Sequence, residues 1–293
     1  MSGGIVMATN DVERATAYLD RCAGGMIPVS VSRAWAAKGT DLVRWLDQVG
    51  ADLALERIGG AEHPEFAGAE AIESWAQSRP SERVPPGTTA REHKPGAPVN
   101  VAVDRSADGA GAVRGARRIG YEYFAGLRGA VYARREIGVL YGTPVRHLIQ
   151  DRDGRVIGVE AVQHGQVIRI RASRGVVLAT GGYEFSDEMK INYLKASPMY
   201  FYGNPGNTGD GIRMAQEAGA DLWHMNQMVG RAIGHGPRRD AHARILNPFG
   251  QPIPGLYGAG ELGEAVGMLY PANGGNLSES VCFGRIAAEH ALG

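Results

Sequence analysis

The feature that most constrains the fold of this chain is the apolar run "GVVLAT", which ends at the glycine pair Gly181 and Gly182. Val176 to Ala179 are apolar without alternation, the pattern of a strand covered on both faces, as in a parallel sheet flanked by helices. Glycines after such a strand, here following Thr180, let a ligand approach the bare backbone or let the chain turn with a positive φ. Taken alone, a tight turn without a ligand is the more common of the two arrangements.

Three β-rich runs precede this strand. The runs "TPVRHLIQ", "RVIGVEAV" and "QVIRIR" are separated by "DRDG" and "QHG", which have the composition of hairpin turns. They predict a three-stranded antiparallel meander that leads into the apolar run. The fold class is therefore α/β, with a parallel sheet and an antiparallel β-meander as an accessory sheet.

Apolar residues recur at helical spacing in the first half of the chain. This spacing predicts a helix from Val31 to Val49 that stops at Gly50, a second from Val113 to Val131, and a short helix at "AEAIESWAQ". Residues 56–111 are otherwise rich in Pro, Gly and charge, which is typical of a surface excursion. The predicted organisation is a helical part over 1–55, an irregular excursion over 56–111 and an α/β domain over 112–293.

Composition argues against several classes of function. The 293 residues are 44% hydrophobic, enough for a sizeable core, and 31 basic residues balance 31 acidic ones. A net charge of zero attracts neither nucleic acid nor an anionic membrane, so we expect neither as a partner. Cys22 and Cys282 are too few for a disulfide framework, which is typical of a cytoplasmic protein. No apolar run approaches the roughly 20 residues that span a bilayer, and the start of the chain has no targeting pattern.

The stretch "NPGNTGDGIRMAQEAGADL" predicts a helix with a glycine-rich start. Asn207 and Thr208 are good N-cap residues, Gly209 loosens the backbone before Asp210, and Gly219 stops the helix. Free N–H groups at such an N-terminus attract an anion, although Asp210 would repel a phosphate and is better suited to a hydroxyl group or a ribose. A well-capped surface helix without a ligand explains the same residues equally well.

The C-terminal stretch repeats this arrangement. The short strand "GLYGA" ends at Gly260 and Glu261, and after a loop a helix starts at Gly274, Gly275 and Asn276. A carboxylate at the carboxyl end of a strand can bind the hydroxyl groups of a sugar or polyol, and a helix N-terminus can stabilise negative charge. Three glycine-rich ends in one α/β chain indicate a large, partly anionic ligand that lies across them.

These three stretches resemble, in order and in spacing, the flavoprotein subunit family of fumarate reductase and succinate dehydrogenase, which also contains the ketosteroid dehydrogenases and urocanate reductase. The resemblance covers most of residues 140–293 and, more loosely, "SGGIVMATNDVERATAYLDRC" near the start. It implies FAD, held covalently or noncovalently. The implied FAD-binding residues are Gly181, Gly182, Asp210, Glu261, Gly274, Gly275, Asn276 and Leu277, and the expected cofactor site also includes their neighbours Thr180, Asn207, Thr208, Gly209 and Gly260.

The resemblance also implies a role for each part of this site. The Gly181–Gly182 turn would lie near the adenosine half of FAD, and Asp210 would lie along the cofactor. Glu261 would bind the ribityl or ribose hydroxyl groups. The helix start at Gly274 would face the pyrimidine edge of the flavin.

The chain departs from the family pattern in two places. Family members open with a strand, a GxGxxG turn and a helix that hold the ADP pyrophosphate, and no GxGxxG stands near the start here. A second gap falls within residues 224–247, where the family has a long stretch that supplies much of the substrate cavity. The expected fold is an incomplete FAD-binding, Rossmann-like domain with a helical substrate-side part. It would be a shortened enzyme, a truncated product, or a segment completed by a partner chain or a second copy.

Tyr270 is the leading candidate for a catalytic residue. It resembles the tyrosine of the Tyr-Pro-x-x-Gly pattern in ketosteroid dehydrogenases, where a phenol and a backbone N–H polarise the substrate carbonyl group. A core tyrosine in a proline-bounded loop is the equally good alternative. His235 and His224 are candidate proton carriers or substrate-binding residues, although an isolated histidine is more often a packing residue.

Four arginines could hold a carboxylate substrate or lie in a solvated loop: Arg231, Arg238, Arg239 and Arg244. No spacing of metal ligands and no Ser-His-Asp order is present. Two functions follow from the sequence. The first is a flavin-dependent oxidoreductase that acts on a small molecule, at a CH–CH bond next to a carbonyl group, by hydride transfer to or from FAD. The alternative is a catalytically silent scaffold or interaction module derived from that family.

Overall fold

The described residues form three separate three-stranded sheets with helices between them. The computed structural model describes residues 4–51, 53–77, 123–201, 203–227, 236–263 and 265–293. The strands are β1 (Ile5–Thr9), β2 (Leu55–Gly59), β3 (Ile72–Gln77), β4 (Val145–Gln150), β5 (Val156–Gln163), β6 (Gln166–Arg171), β7 (Val176–Leu178), β8 (Arg244–Leu246) and β9 (Pro252–Gly258). The helices are α1 (Val12–Ala23), α2 (Val29–Gly39), α3 (Leu42–Gln48), α4 (123–132), α5 (Asp187–Met189), α6 (Asp210–Glu217) and α7 (Gly275–Leu292).

The sheet that contains the apolar run has the strand order β7-β9-β8. β7 pairs with β9 in parallel, and β8 pairs with β9 in antiparallel orientation. The parallel pairing predicted for the apolar run is therefore confirmed. The prediction that both faces of this strand are covered is not confirmed, because Val177 is 42% exposed. β7 is an edge strand of its sheet, which leaves one side of it open within the described residues.

The predicted antiparallel meander is confirmed. β4 pairs with β5 and β5 with β6, both in antiparallel orientation. Gly154 and Gly165 lie in the two turns with φ of 77° and 79°, as expected for hairpin connections. Val156 and Ala161 are buried while β6 is largely exposed, so the meander turns one face toward the core of the protein.

The sheet β1-β3-β2 contains a segment that the sequence pattern misassigned. Within "AEAIESWAQ" only Ala69–Ala71 form a single 3₁₀ turn, and Ile72–Gln77 is a strand, so the predicted short helix is wrong. Ile72 and Ser74 are buried in alternation with half-buried residues, the period of two that belongs to a strand. Pairing with β1 on one side and β2 on the other outweighs the weak helical spacing of so short a segment.

The predicted helix from Val31 to Val49 is broken in two, because α2 ends at Gly39 and α3 begins at Leu42. The hydroxyl group of Thr40 donates to the carbonyl oxygen of Ala37 at 2.8 Å, which closes the last turn of α2. Asp41 then accepts two hydrogen bonds from the guanidinium group of Arg285, at 2.7 and 2.9 Å. These bonds lower the pKa of Asp41. The redirected chain thereby attaches α3 to α7.

α7 is the central helix of the larger hydrophobic core. Cys282 and Phe283 are fully buried, and the indole N–H of Trp35 in α2 donates to the hydroxyl group of Ser278 at 3.0 Å. Cys22 and Cys282 are both free thiols. In the described ranges, no helix has both the length and the apolar character needed to cross a membrane.

Part of the predicted organisation lies outside the described residues. Of the helix predicted from Val113 to Val131, the part that the structure describes is helical, as 123–132. Most of the predicted excursion, residues 78–111, is not described. The division of the chain at residues 55 and 111 therefore stays a prediction.

Candidate functional site

The carboxyl ends of β7 and β9 meet at one edge of the sheet. The backbone N–H of Ala259, after β9, donates to the carbonyl oxygen of Leu178, the last residue of β7, at 3.0 Å. The turn at Gly181 and the 3₁₀ turn that carries Glu261 follow these strand ends. The parallel pairing thus brings together two predicted site segments that are distant in sequence.

Gly181 makes room for an amide side chain of the protein itself. Its φ is +78°, and a Cβ atom built on it would lie 2.6 Å from Cγ and 2.8 Å from Nδ2 of Asn207. Asn207 is held by its backbone, whose N–H donates to the Asn204 carbonyl oxygen at 2.8 Å and whose carbonyl oxygen accepts from the Phe185 N–H at 3.0 Å. The side chain that glycine lacks at position 181 is therefore replaced by the amide group of Asn207.

Asn207 joins two carboxylates. Its Nδ2 donates to Oε1 of Glu184 at 3.2 Å and to Oε2 of Glu261 at 3.1 Å. Burial raises the pKa of Glu261, and the hydrogen bond from Asn207 acts in the opposite direction. Glu184 is buried and was not among the predicted site residues, although a charged residue two positions after a strand and its glycine pair is a signal for such a role.

α6 begins at Asp210, and its N-cap residue is Gly209, with a φ of +82° and no side-chain cap. The prediction that Asn207 or Thr208 caps this helix is wrong, because Asn207 faces the two carboxylates and the Thr208 hydroxyl group donates to Asp210 at 2.9 Å. The N–H of Gly209 donates to the Gly182 carbonyl oxygen at 3.1 Å, which ties the helix start to the turn after β7.

The end of α6 and its packing against the turn agree with the sequence pattern. The helix ends with Ala218 as its C-cap residue, and Gly219 follows with a φ of +95°, so the predicted stop is confirmed. Gly211 packs closely against the side chain of Thr180. Thr180 is thus occupied in holding α6 against the end of β7.

The N-terminus of α7 lies at the predicted position, with Gly274 as its N-cap residue. A Cβ atom on Gly274 would lie 2.5 Å from the carbonyl oxygen of Ile5, so β1 occupies the space beside this glycine. The N–H of Asn276 donates to the hydroxyl group of Tyr270 at 3.3 Å. Tyr270 therefore lies at the positive end of the helix dipole.

A chain of contacts connects the first turn of α7 to Glu261. The Ser280 hydroxyl group donates to the carbonyl oxygen of Asn276 at 2.8 Å. A Cβ atom on Gly260 would lie 3.0 Å from that same hydroxyl oxygen. Gly275 packs beside the Tyr270 ring, and Leu277 packs against the larger core. The sheet edge and the start of α7 therefore form one continuous region.

The candidate basic residues are engaged within the protein. Arg238 lies 3.6 Å from Asp221, and Nε of Arg244 donates to Asp240 at 2.7 Å. Arg239 is 1% exposed, forms an ion pair with the buried Glu279 and stacks at 4.0 Å over the Phe283 ring. Neither a solvated loop nor a carboxylate-binding cluster describes Arg239, since its charge is used inside the core.

Of the two candidate histidines, the structure describes His224 and not His235. Nε2 of His224 lies 3.0 Å from the carbonyl oxygen of Met26, in a packing contact between two segments. His235 and Arg231 lie outside the described residues, so their candidate roles stay predictions. No group of three or more His, Cys, Asp or Glu residues that could hold a metal ion occurs in the part of the chain that the structure describes.

In fold, the chain is a flavoenzyme-type α/β protein. It superposes on the 3-ketosteroid delta1-dehydrogenase of Sterolibacterium denitrificans with a TM-score of 0.74 at 16% identity, over 99% of this chain and 91% of that one. It also superposes on a flavocytochrome c3 fumarate reductase with a TM-score of 0.69 at 17% identity, over 97% of this chain and 68% of that one.

The family model for the FAD binding domain matches residues 2–237, and the chain belongs to that family. Among curated proteins, the 3-oxosteroid 1-dehydrogenase of Comamonas testosteroni is 37% identical over 107 residues, which are 35% of this chain and 18% of that protein. The family resemblance and the fold class predicted from the sequence are thereby confirmed. The aligned region spans less than a fifth of that relative's length.

The contact between Gly181 and Asn207 predicts a specific effect of adding one methyl group. Gly181→Ala forces alanine to a positive φ, which costs about 1–2 kcal/mol, and also drives Cβ into the Asn207 amide, for a further ~1–3 kcal/mol. Gly165→Ala is the matched control, because Gly165 has a φ of +79° and nothing within 4 Å of its Cβ position. Chemical denaturation should show a larger loss for Gly181→Ala, and equal losses would contradict the contact.

Proposed function

We propose that this protein is a flavin-dependent oxidoreductase that acts at a CH–CH bond next to a carbonyl group of a small molecule. The observation that carries the proposal is the continuous region that joins Glu261 at the sheet edge to Tyr270 at the start of α7, through Gly260, Ser280 and Asn276. Family membership and fold support it.

The residues of this region fit FAD. Glu261 presents a half-buried carboxylate, a group suited to ribose or ribityl hydroxyl groups, beside the turn at Gly181 and Gly182. The positive end of the α7 dipole suits the electron-rich pyrimidine edge of the flavin ring, while the Gly275 and Asn276 N–H groups themselves donate to Ala272 and Tyr270. FAD, when bound, supplies the acceptor or donor of the hydride. Asp210 lies at the exposed start of α6, where its carboxylate can accept a hydrogen bond from another hydroxyl group of the cofactor.

Tyr270 is the residue that we assign to the substrate. The phenol oxygen accepts a hydrogen bond from the Asn276 N–H, which holds the phenol at the N-terminus of α7. Negative charge that develops there is stabilised by the helix dipole. A phenol hydrogen-bonded to the carbonyl oxygen of a ketone acidifies the adjacent C–H bond. Because similar proteins are named 3-oxosteroid 1-dehydrogenases, a cyclic 3-oxo compound is the substrate class that we propose.

The absorbance spectrum of the purified protein after incubation with FAD tests the proposal directly. A protein-bound flavin spectrum from the near ultraviolet to the blue, together with dehydrogenation of a 3-oxosteroid by an artificial electron acceptor, is the expected result. A folded protein that retains no FAD would instead support a silent scaffold derived from the family.

Glu261 should contribute to FAD affinity more than other glutamates of the chain. Glu261→Gln removes the carboxylate charge and is expected to weaken FAD binding roughly 10- to 100-fold, the effect of losing hydrogen bonds to a charged group. Glu217→Gln is the matched control, because Glu217 is exposed at the end of α6 and contacts His147. Titration of apoprotein with FAD, followed by flavin fluorescence, measures both, and equal dissociation constants would exclude this role of Glu261.

Tyr270→Phe should separate catalysis from folding. The variant loses only the hydroxyl group, so melting temperature and flavin content should stay close to those of the parent, while turnover of the 3-oxo substrate falls by ~10²–10³. Steady-state assays and thermal unfolding of both proteins measure this. If the variant melts markedly earlier, or turns over at the parental rate, Tyr270 is a structural residue.

We further propose that the open side of β7 is covered by a second copy of the chain. Among the described residues β7 is an edge strand, and Val177 on it is 42% exposed, so its unpaired backbone groups can accept a strand of another chain. Light scattering should give a molar mass above that of the monomer, and Val177→Lys should lower it. Val167→Lys, on exposed β6, is the control. A monomer at micromolar concentration would refute the proposal.

A further inference from the structure

We propose that Asn207 is a positioning residue, whose amide group fixes the carboxylate of Glu261 for a ligand diol and is itself oriented by Glu184. Its amide donates to the two carboxylates, so it would act on a ligand through Glu261. The identity of the ligand, the ribose or ribityl diol of FAD, rests on the proposed function. The positioning itself is a property of the protein without ligand.

The place of Asn207 is fixed on several sides. Its side chain is 7% exposed, and both its backbone N–H and its carbonyl oxygen are hydrogen-bonded. A Cβ atom built on Gly181 would lie 2.8 Å from its Nδ2, so a larger residue there would displace the amide, and one built on Gly203 would lie in ordinary contact with it at 3.9 Å. The amide group therefore has little freedom to turn away from the carboxylates.

The two carboxylates also determine which way the amide faces. An amide nitrogen has two hydrogens, and an ionised carboxylate only accepts hydrogen bonds. With Glu184 on one side at 3.2 Å and Glu261 on the other at 3.1 Å, the NH₂ group must face both, and each hydrogen has its own acceptor. When both carboxylates are ionised, Glu184 therefore disfavours the flipped amide, which would place its oxygen against Glu261.

The arrangement leaves the ligand-binding capacity of Glu261 intact. Asn207 engages Oε2 of Glu261, and an ionised carboxylate offers about four lone-pair sites. The amide is neutral, so it fixes the carboxylate without neutralising it, whereas an arginine or a lysine would compete with the ligand for its charge. A fixed and still charged acceptor binds two neighbouring hydroxyl groups more tightly than a mobile one, because less side-chain freedom is lost on binding.

A double-mutant cycle with FAD as the probe tests whether Asn207 acts through Glu261. Asn207→Ala should weaken FAD binding roughly tenfold in the parent, the order expected for one lost hydrogen bond to a charged group. In the Glu261→Gln background the same substitution should change the dissociation constant less than twofold. A merely structural role would lower affinity by the same factor in both backgrounds, and that result would overturn the inference.

Two further variants keep the test decisive. Asn204→Ala removes an exposed amide that accepts the Gly206 N–H at 3.0 Å in the same loop, and because it touches neither carboxylate it should leave FAD affinity unchanged. If Asn207→Ala fails to fold, Asn207→Asp keeps the shape but puts a third acidic group between Glu184 and Glu261. It should lower FAD affinity in the parent, and in the Glu261→Gln background it should change the affinity of that variant less than twofold, because the carboxylate it would repel is gone. Unchanged affinity in the parent would contradict the inference.

A measurement without FAD distinguishes failure of this inference from failure of the proposed function. Carboxyl ¹³C NMR of the apoprotein, with Glu261→Gln for assignment, follows the titration of Glu261. Asn207→Ala should raise its midpoint because a donor to the charged form is lost, and Asn204→Ala should not. If the parent binds no FAD, the proposed function fails, while a raised midpoint still supports the positioning role and an unchanged one overturns it.

Discussion

The parallel pairing of β7 with β9 is the interaction on which the candidate site depends. It places the end of β7 beside the end of β9, where the Ala259 N–H donates a hydrogen bond to the Leu178 carbonyl oxygen. Everything assigned to the site at this edge follows from that contact, because the Gly181 turn and Glu261 both begin where these strands end. Ser280 of α7 packs against Gly260, the residue before Glu261. Because Tyr270 is bonded to Asn276 at the start of α7, this contact brings Tyr270 into the region.

The glycines of the candidate site make room for other parts of the protein itself. Gly181 yields space to Asn207, Gly211 to Thr180 and Gly274 to the backbone of β1. Such close approaches hold the strand ends and helix starts together, which preorganises the few polar groups that remain to meet a cofactor. Buried charges follow the same rule, since the Arg239–Glu279 pair joins the segment before β8 to α7 within the core.

Several elements could be predicted because their signals are local. The meander, the strand before Glu261, the end of α6 and the start of α7 depend on residue period and on turn composition. "AEAIESWAQ" is a strand because two neighbouring strands pair with it, and at the break between α2 and α3 the Asp41 carboxylate bonds to Arg285 of α7. Contacts of that kind join residues that no local pattern connects.

The sequence by itself determined the α/β class, the glycine-marked ends of the elements and the family, since each depends on residue types at short, fixed spacings. Only the tertiary structure decided what Asn207 does. As a sequence feature it is a good helix cap, but in the structure its amide lies between Glu184 and Glu261. The physical reason is that a side-chain donor bonds to the acceptors that folding brings within about 3 Å. The pairing of distant strands, not the spacing within one segment, sets which acceptors those are.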